Sequence, residues 1–94
     1  MAVGDVVSGI FTTIHVYHTF QPAVGVEIMI TFMGGRGTNT YGGIDNSVNY
    51  SNARITDSAD YSEGFNTKVG ITNTNYLTLH SDTIAPSYSG IQIK

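Results

Sequence analysis

From Val24 to Met33 the chain reads Val-Gly-Val-Glu-Ile-Met-Ile-Thr-Phe-Met, with apolar residues on every second position. In a strand, Val26, Ile28, Ile30 and Phe32 share one face, and Glu27, Met29, Thr31 and Met33 share the other. Helical geometry would spread the first set around most of the helix, so the pattern predicts a strand. Its β-branched, aromatic and Met content suits a central one. Met29 and Met33 then lie opposite the core face, beside Glu27. A solvated sheet surface does not favour that arrangement, so the second face is expected to be covered by another layer or another subunit.

Upstream, residues 12–20 alternate, with Ile14, Val16, His18 and Phe20 on one side and Thr13, His15, Tyr17 and Thr19 on the other. Gln21-Pro22-Ala23 reads as a turn, because Pro22 fixes its own φ and biases Gln21 towards an extended conformation. Segments 12–20 and 24–33 are therefore expected to pair as an antiparallel hairpin. Residues 3–11, broken by Gly4 and Gly9, read as an edge strand.

Downstream, Gly34-Gly35-Arg36-Gly37 is expected to end the central strand in a flexible tip. A short strand over 38–44 follows, bent at Gly42-Gly43, then a turn at Asp45-Asn46 and a weakly alternating strand over 47–57 interrupted at Asn52. Residues 58–66 carry the least pattern and read as a surface loop. Strands are expected over 67–72 and 76–81, the latter with Leu77 and Leu79 inward and Tyr76, Thr78 and His80 outward. A loop around Ala85-Pro86 leads to a last strand over 88–94. Roughly seven to nine short strands at turn-bounded spacing, with no helical window and no fixed repeat, indicate one all-β domain over 1–94, an antiparallel β-sandwich or small barrel.

Composition narrows the function classes. Charged residues make up 12% of the 94 residues, against about 25% in an average domain, while Thr, Ser, Asn and Gly are plentiful. The net charge is −3, and Arg36, Arg54, Lys68 and Lys94 are scattered, which excludes a basic stripe for nucleic acid. There is no cysteine, hence no disulfide or thiolate metal site. No window approaches the ~18 apolar residues of a membrane span, and the N-terminal residues carry no secretory pattern, so the chain is expected to fold in a cytoplasm. The sequon Asn49-Tyr50-Ser51 then reads as chance. A chain this short has a small core, which oligomerisation would enlarge.

The chemistry-bearing residues make no catalytic pattern. His15 and His18 are three apart, a spacing that points them to opposite sides of a strand, so they are not expected to share a metal ion, and His80 has no companion pair. Asp57, Asp60 and Glu63 lack the spacing of a calcium loop and read as a solvated loop. The Gly34–Gly37 run has neither the Lys-Ser/Thr nor the following helix of a phosphate cradle. No nucleophile elbow occurs. No cofactor and no enzymatic activity are expected. The six tyrosines, several on the outward phase among Thr, Asn and Ser, suit a protein interface or a surface that stacks on sugars.

Two stretches, Phe20-Gln-Pro-Ala-Val-Gly-Val-Glu-Ile-Met-Ile-Thr31 and Asn73-Thr-Asn-Tyr-Leu-Thr-Leu79 followed by Tyr88-Ser-Gly-Ile-Gln-Ile-Lys94, resemble small structural proteins of tailed bacteriophages that decorate or cement a capsid. The stretches that carry the likeness cover 26 of the 94 residues. It lies in the short Thr/Ser/Asn/Gly-rich strands and in a chain that ends inside its last strand, not in a diagnostic motif. It implies a β-sandwich or jelly-roll protomer, assembly into trimers or larger clusters, and attachment to a major capsid protein. It carries over no catalytic residue. The chain departs from the commonest of these proteins in lacking a clear long N-terminal arm, which leaves the mode of attachment open.

The expected function is thus a non-enzymatic virion protein, made in a host cytoplasm, that binds capsid subunits multivalently as a homo-oligomer with a trimer favoured. Met29, Met33, Tyr17 and His15 are the expected subunit contacts. Gly35, Arg36 and Asn39 in one loop, and Asp60 and Tyr61 in another, are the expected exposed partner contacts. The alternative is a carbohydrate- or receptor-binding tip, as in a tail fibre or adhesin head.

Overall fold

The computed structural model describes residues 2–13, 15–37, 39–56, 62–82 and 84–94. Among them lie eight strands and no helix: β1 (Val6–Ile10), β2 (Tyr17–Phe20), β3 (Ile28–Arg36), β4 (Thr40–Asp45), β5 (Tyr50–Thr56), β6 (Ser62–Ile71), β7 (Tyr76–His80) and β8 (Ile84–Gln92). They form two four-stranded antiparallel sheets, ordered β1-β8-β3-β6 and β2-β7-β4-β5. The pairing is nested. β4 pairs with β5, β3 with β6, β2 with β7 and β1 with β8, as if the whole chain were one long hairpin folded over on itself. The β3–β8 and β4–β7 ladders complete the two sheets.

This topology corrects the expected hairpin between 12–20 and 24–33, because β2 and β3 lie in different sheets. The link from Gln21 to Glu27 is too long for a tight turn. Pro22 is buried in it, Val26 N donates to the Ala23 carbonyl at 3.0 Å, and Gly25 sits at φ 84°, where a Cβ would be strained. Both edges of β3 are already taken by β6 and β8.

A bulge in β3 revises which residues face the core. Between Ile30 and Phe32, β3 carries one residue more than β8, while β6 carries one more than β3, and the alternation of β3 reverses beyond it. Met33, expected on the outer face, is buried in the core, while Phe32 faces outwards across Gly64. β3 also runs on through Gly34 and Gly35 to Arg36, so the expected flexible tip is strand. The expected loop over 58–66 is strand from Ser62 onwards, paired with β3. The expected loop at Ala85-Pro86 is the start of β8. Pro86 fits there because the β3–β8 register is irregular between Gly34 and Arg36, where no ladder N–H is needed, and its carbonyl accepts from Phe11 N at 3.0 Å. The register of β4 against β5 shifts at Thr40/Tyr41 and runs unbroken through Gly42, Gly43 and Asn52. Leu77 and Leu79 point inwards as expected, but Tyr76 and Thr78 are buried too.

Val7, Ile28, Ile30, Met33 and Ile71 of the first sheet meet Ile55, Leu77 and Leu79 of the second in one hydrophobic cluster. The shortest dimension of the protein, 21 Å, matches two sheets ~10 Å apart with their outer side chains. Gly42 lies under this contact, where a Cβ would stand 2.9 Å from Leu79 Cδ2 and 3.0 Å from Met33 Sδ and those side-chain ends would have to shift. At one end of the core the Phe11 ring stacks on His18 at 4.5 Å, and Tyr88 lies 5.0 Å from Phe20. Burial raises the Tyr88 phenol above its ordinary range.

Gly90 marks the tightest contact within a sheet. A Cβ there would overlap the Met29 carbonyl oxygen and lie 3.1 Å from the Ile30 Cα. Backbone cannot swing aside as a side chain does, so Gly90→Ala is expected to cost about 1–3 kcal/mol in chemical denaturation. Gly70, on the neighbouring edge strand, has open space where its Cβ would be. Gly70→Ala is expected to leave stability unchanged or raise it by up to about 1 kcal/mol. Equal effects at both positions would refute this account of the β3–β8 contact.

Candidate functional site

Three loops meet at one end of the β2-β7-β4-β5 sheet and converge on the carboxylate of Asp82. Asn39, from the β3–β4 loop, donates from Nδ2 to Asp82 Oδ2 at 2.7 Å. His15, from the β1–β2 loop, places Nδ1 3.1 Å from Asp82 Oδ1. His80, the last residue of β7, places Nε2 3.4 Å from the same oxygen, and its Nδ1–H donates to the Asn39 carbonyl at 2.9 Å. Cross-strand pairing sets Tyr17, His80 and Tyr41 in one row across β2, β7 and β4. The Tyr17 ring lies 4.6 Å from His80 and the Tyr41 ring 6.0 Å from it.

The backbone is bent to make this convergence. His15 and Asn39 both take left-handed φ values, 65° and 51°, a region that Asn tolerates and His visits less readily. Ser81 holds both in place. Its carbonyl accepts the His15 N–H at 2.8 Å, and its buried hydroxyl donates to the Arg36 carbonyl at 3.1 Å. The buried Thr40 hydroxyl lies 3.2 Å from both the Gly37 carbonyl oxygen and Ser81 Oγ. Strain at His15 and Asn39 persists because these buried polar contacts over-determine the loops.

The Asn39 amide is the main influence holding Asp82 below the usual carboxylate range. Partial burial opposes it, and the His15 hydrogen bond and the charges of His80 and His15 add to it. Among the described residues, no group of three His, Asp or Glu side chains is arranged to hold a metal ion. The two histidines face the carboxylate itself rather than a shared void.

A second surface is the outer face of the β1-β8-β3-β6 sheet. Val6, Ile91 and Met29 are direct cross-strand neighbours there. Ile10, Phe32 and Ile93 stand on the same face among Ser8, Ser87 and Ser89, with Val6 74% and Ile10 73% exposed. Ile91 and Ile93 point outwards because Gly90 and Gln92, on the alternate phase, take the buried positions.

The four expected subunit contacts thus separate. Met29 is on the outer apolar face, Met33 is in the core, and Tyr17 and His15 belong to the Asp82 cluster on the other sheet. Gly35 and Arg36 are strand residues, and a Cβ on Gly35 would overlap the Thr40 methyl. Asn39 is exposed, as expected of it, and binds Asp82. Asp57, Asp60 and Tyr61 lie outside the described residues. Sequence reasoning does not find Asp82. The available signal is the outward phase of His80 followed two residues later by a carboxylate.

A carboxylate whose pKa is lowered on folding contributes stability at pH values above its unfolded value, 3.8, and that contribution is lost as pH falls through the lower, folded value. Wild type is therefore expected to exceed Asp82→Asn in stability near neutrality, with the difference shrinking below pH 3.8. Urea titrations of both proteins at neutral and acidic pH check this. A difference that stays constant with pH would rule out the ionised carboxylate as its source.

Comparison with family models, with curated proteins and with solved structures finds no match to this chain.

Proposed function

We propose that this chain is a non-enzymatic assembly protein, a decoration or cement protein of a phage capsid that acts as a homo-oligomer. The observation that carries the reading is the apolar outer face of the β1-β8-β3-β6 sheet. Val6, Ile91 and Met29 form one apolar row across three strands, of the kind that marks an interaction surface, with Phe32 and Ile93 in the rows beside it and Ile10 set apart beyond Ser8 and Ser89. Scattered single apolar residues would carry no such meaning.

The nested strand order supports the same reading. Two four-stranded sheets wound from one folded-over hairpin fit a β-sandwich of the jelly-roll kind, an architecture that viral capsid domains and lectins use. With 12% charged residues, contacts with neighbouring subunits and with a major capsid protein would rest on apolar burial and hydrogen bonds rather than salt-sensitive ion pairs. Trimeric linkage would add avidity on the repeating capsid lattice of a virion.

Light scattering on the purified chain over a salt series tests the reading. A closed oligomer, trimeric by preference, is expected to persist at high salt. Ile91→Lys and Met29→Lys are each expected to yield a folded monomer whose melting temperature is within a few degrees of the protomer's, because both side chains face outwards. A wild-type monomer, or an oligomer indifferent to both substitutions, would overturn it.

A further inference from the structure

We propose that the row Tyr17–His80–Tyr41, together with Asp82 and Asn39, is a binding site for a neutral sugar. The site lies on the β2-β7-β4-β5 sheet, away from the apolar face of the other sheet, so it stands whether or not the chain assembles.

The geometry supplies the two elements that sugar recognition needs. One is an aromatic platform, made by tyrosine rings tilted 36° and 42° against a His80 side chain that is itself only 12% exposed. Tyr17 and Tyr41 flank His80 across three adjacent strands, so the row spans about two strand spacings, ~10 Å. Tyr17 is 49% exposed, which leaves ring surface to meet the apolar C–H face of a pyranose. The other element is a fixed polar acceptor at the edge of that platform. Asp82 is held by Asn39, His15 and His80, and a carboxylate offers about four lone-pair positions, so acceptor capacity remains for a sugar hydroxyl. The second proton of the Asn39 amide and the exposed His15 ring stand beside it to serve other hydroxyls.

The charge selects the class of sugar. The ionised carboxylate beside the platform accepts from neutral hydroxyls and opposes a second carboxylate, an opposition that His15 and His80 offset only where they are protonated. The preformed strain adds to the case. Two non-glycine residues in the left-handed region, His15 and Asn39, deliver their side chains to one carboxylate. The polar groups are thus fixed before a ligand arrives, which lowers the entropic cost of binding.

The test is an NMR titration of the isotope-labelled chain with D-galactose, D-glucose, D-mannose and N-acetylneuraminic acid. At least one neutral hexose is expected to shift the Asn39 side-chain amide and the Tyr17 and Asp82 backbone amides saturably, with N-acetylneuraminic acid shifting none of them. Tyr17→Ala and Asp82→Asn are each expected to weaken binding about tenfold, while Tyr17→Phe keeps it. Thermal melts confirm that each variant is folded. Should Asp82→Asn fail to fold, the exposed Tyr17 position decides alone. The proposal is overturned if no neutral hexose shifts these residues, if the shifts map elsewhere, if the acidic sugar is preferred, or if folded variants bind as wild type does.

Discussion

β8 lies between β1 and β3 and hydrogen-bonds along both of its edges, with Gly90 pressed against the Met29–Ile30 backbone. β1 has β8 as its sheet neighbour, so the first strand of the chain can dock only once the last is in place. The same dependence runs inwards through the nested pairs. β1 needs β8, β2 needs β7, and β3 is flanked by β6 and β8, while β4 and β5 are joined by a short turn at Asn46 to Asn49. Loop-closure entropy therefore favours the β4–β5 hairpin first and the outer pairs later, each closing a smaller remaining gap once the pair inside it has formed. A fold built mainly of such distant pairings belongs to the slow class, and its strand edges stay exposed until the final pair closes.

That non-local order explains which parts of the fold are legible in the sequence. β7 is plain because Leu77 and Leu79 alternate with Thr78 and His80 over a segment that nothing interrupts. The Asp45-Asn46 turn is plain because the Asp45 and Asn46 side chains cap the backbone locally, with Asp45 Oδ1 2.7 Å from Ser47 N and Asn46 Oδ1 2.7 Å from Asn49 N. The first half of β6 is not legible: Gly64 and Asn66 have little strand propensity, and that part of the strand exists because β3 pairs with it. The bulge at Thr31 is equally hidden. Nothing local distinguishes Phe32 from Met33 as the inward residue, and the choice follows from what the two neighbouring strands require. The expected hairpin fails for the same reason. Adjacency in sequence is a sound guide to pairing when turns are tight, and here the long link from Gln21 to Glu27 carries the chain from one sheet to the other.

The candidate site shows the same divide on a smaller scale. His15 and Asp82 are 67 residues apart, and spacing rules compare neighbours, so in the sequence His15 invites comparison with His18 instead. In the fold His18 turns to the Phe11 ring at the end of the core, and His15 turns to Asp82. Tyr17 and Asn39 are recognisable as exposed polar-aromatic and polar residues, but what joins them is the register of β2, β7 and β4. The bulge reverses Met33. Met29, on the regular side of it, keeps the outward position its phase implies.

The site's rigidity is borrowed from the core through β7. Along residues 79 to 82 the chain alternates between the two: Leu79 is in the core, His80 faces the tyrosines, Ser81 is buried beneath the loops and Asp82 emerges among them. Each residue that faces the site is thus flanked by one that the interior fixes. Ser81 carries the coupling furthest, since it bonds both the His15 backbone and the Arg36 carbonyl and so ties the β1–β2 loop and the end of β3 to the end of β7. Two strained backbone positions survive at this end because the segment that holds them is among the most buried of the molecule. On the outer face of the opposite sheet, Val6, Ile91 and Met29 stand on a regular stretch of β1, β8 and β3, on the far side of the core from the site. The two surfaces therefore lie on opposite sheets of one small domain, with the hydrophobic core between them.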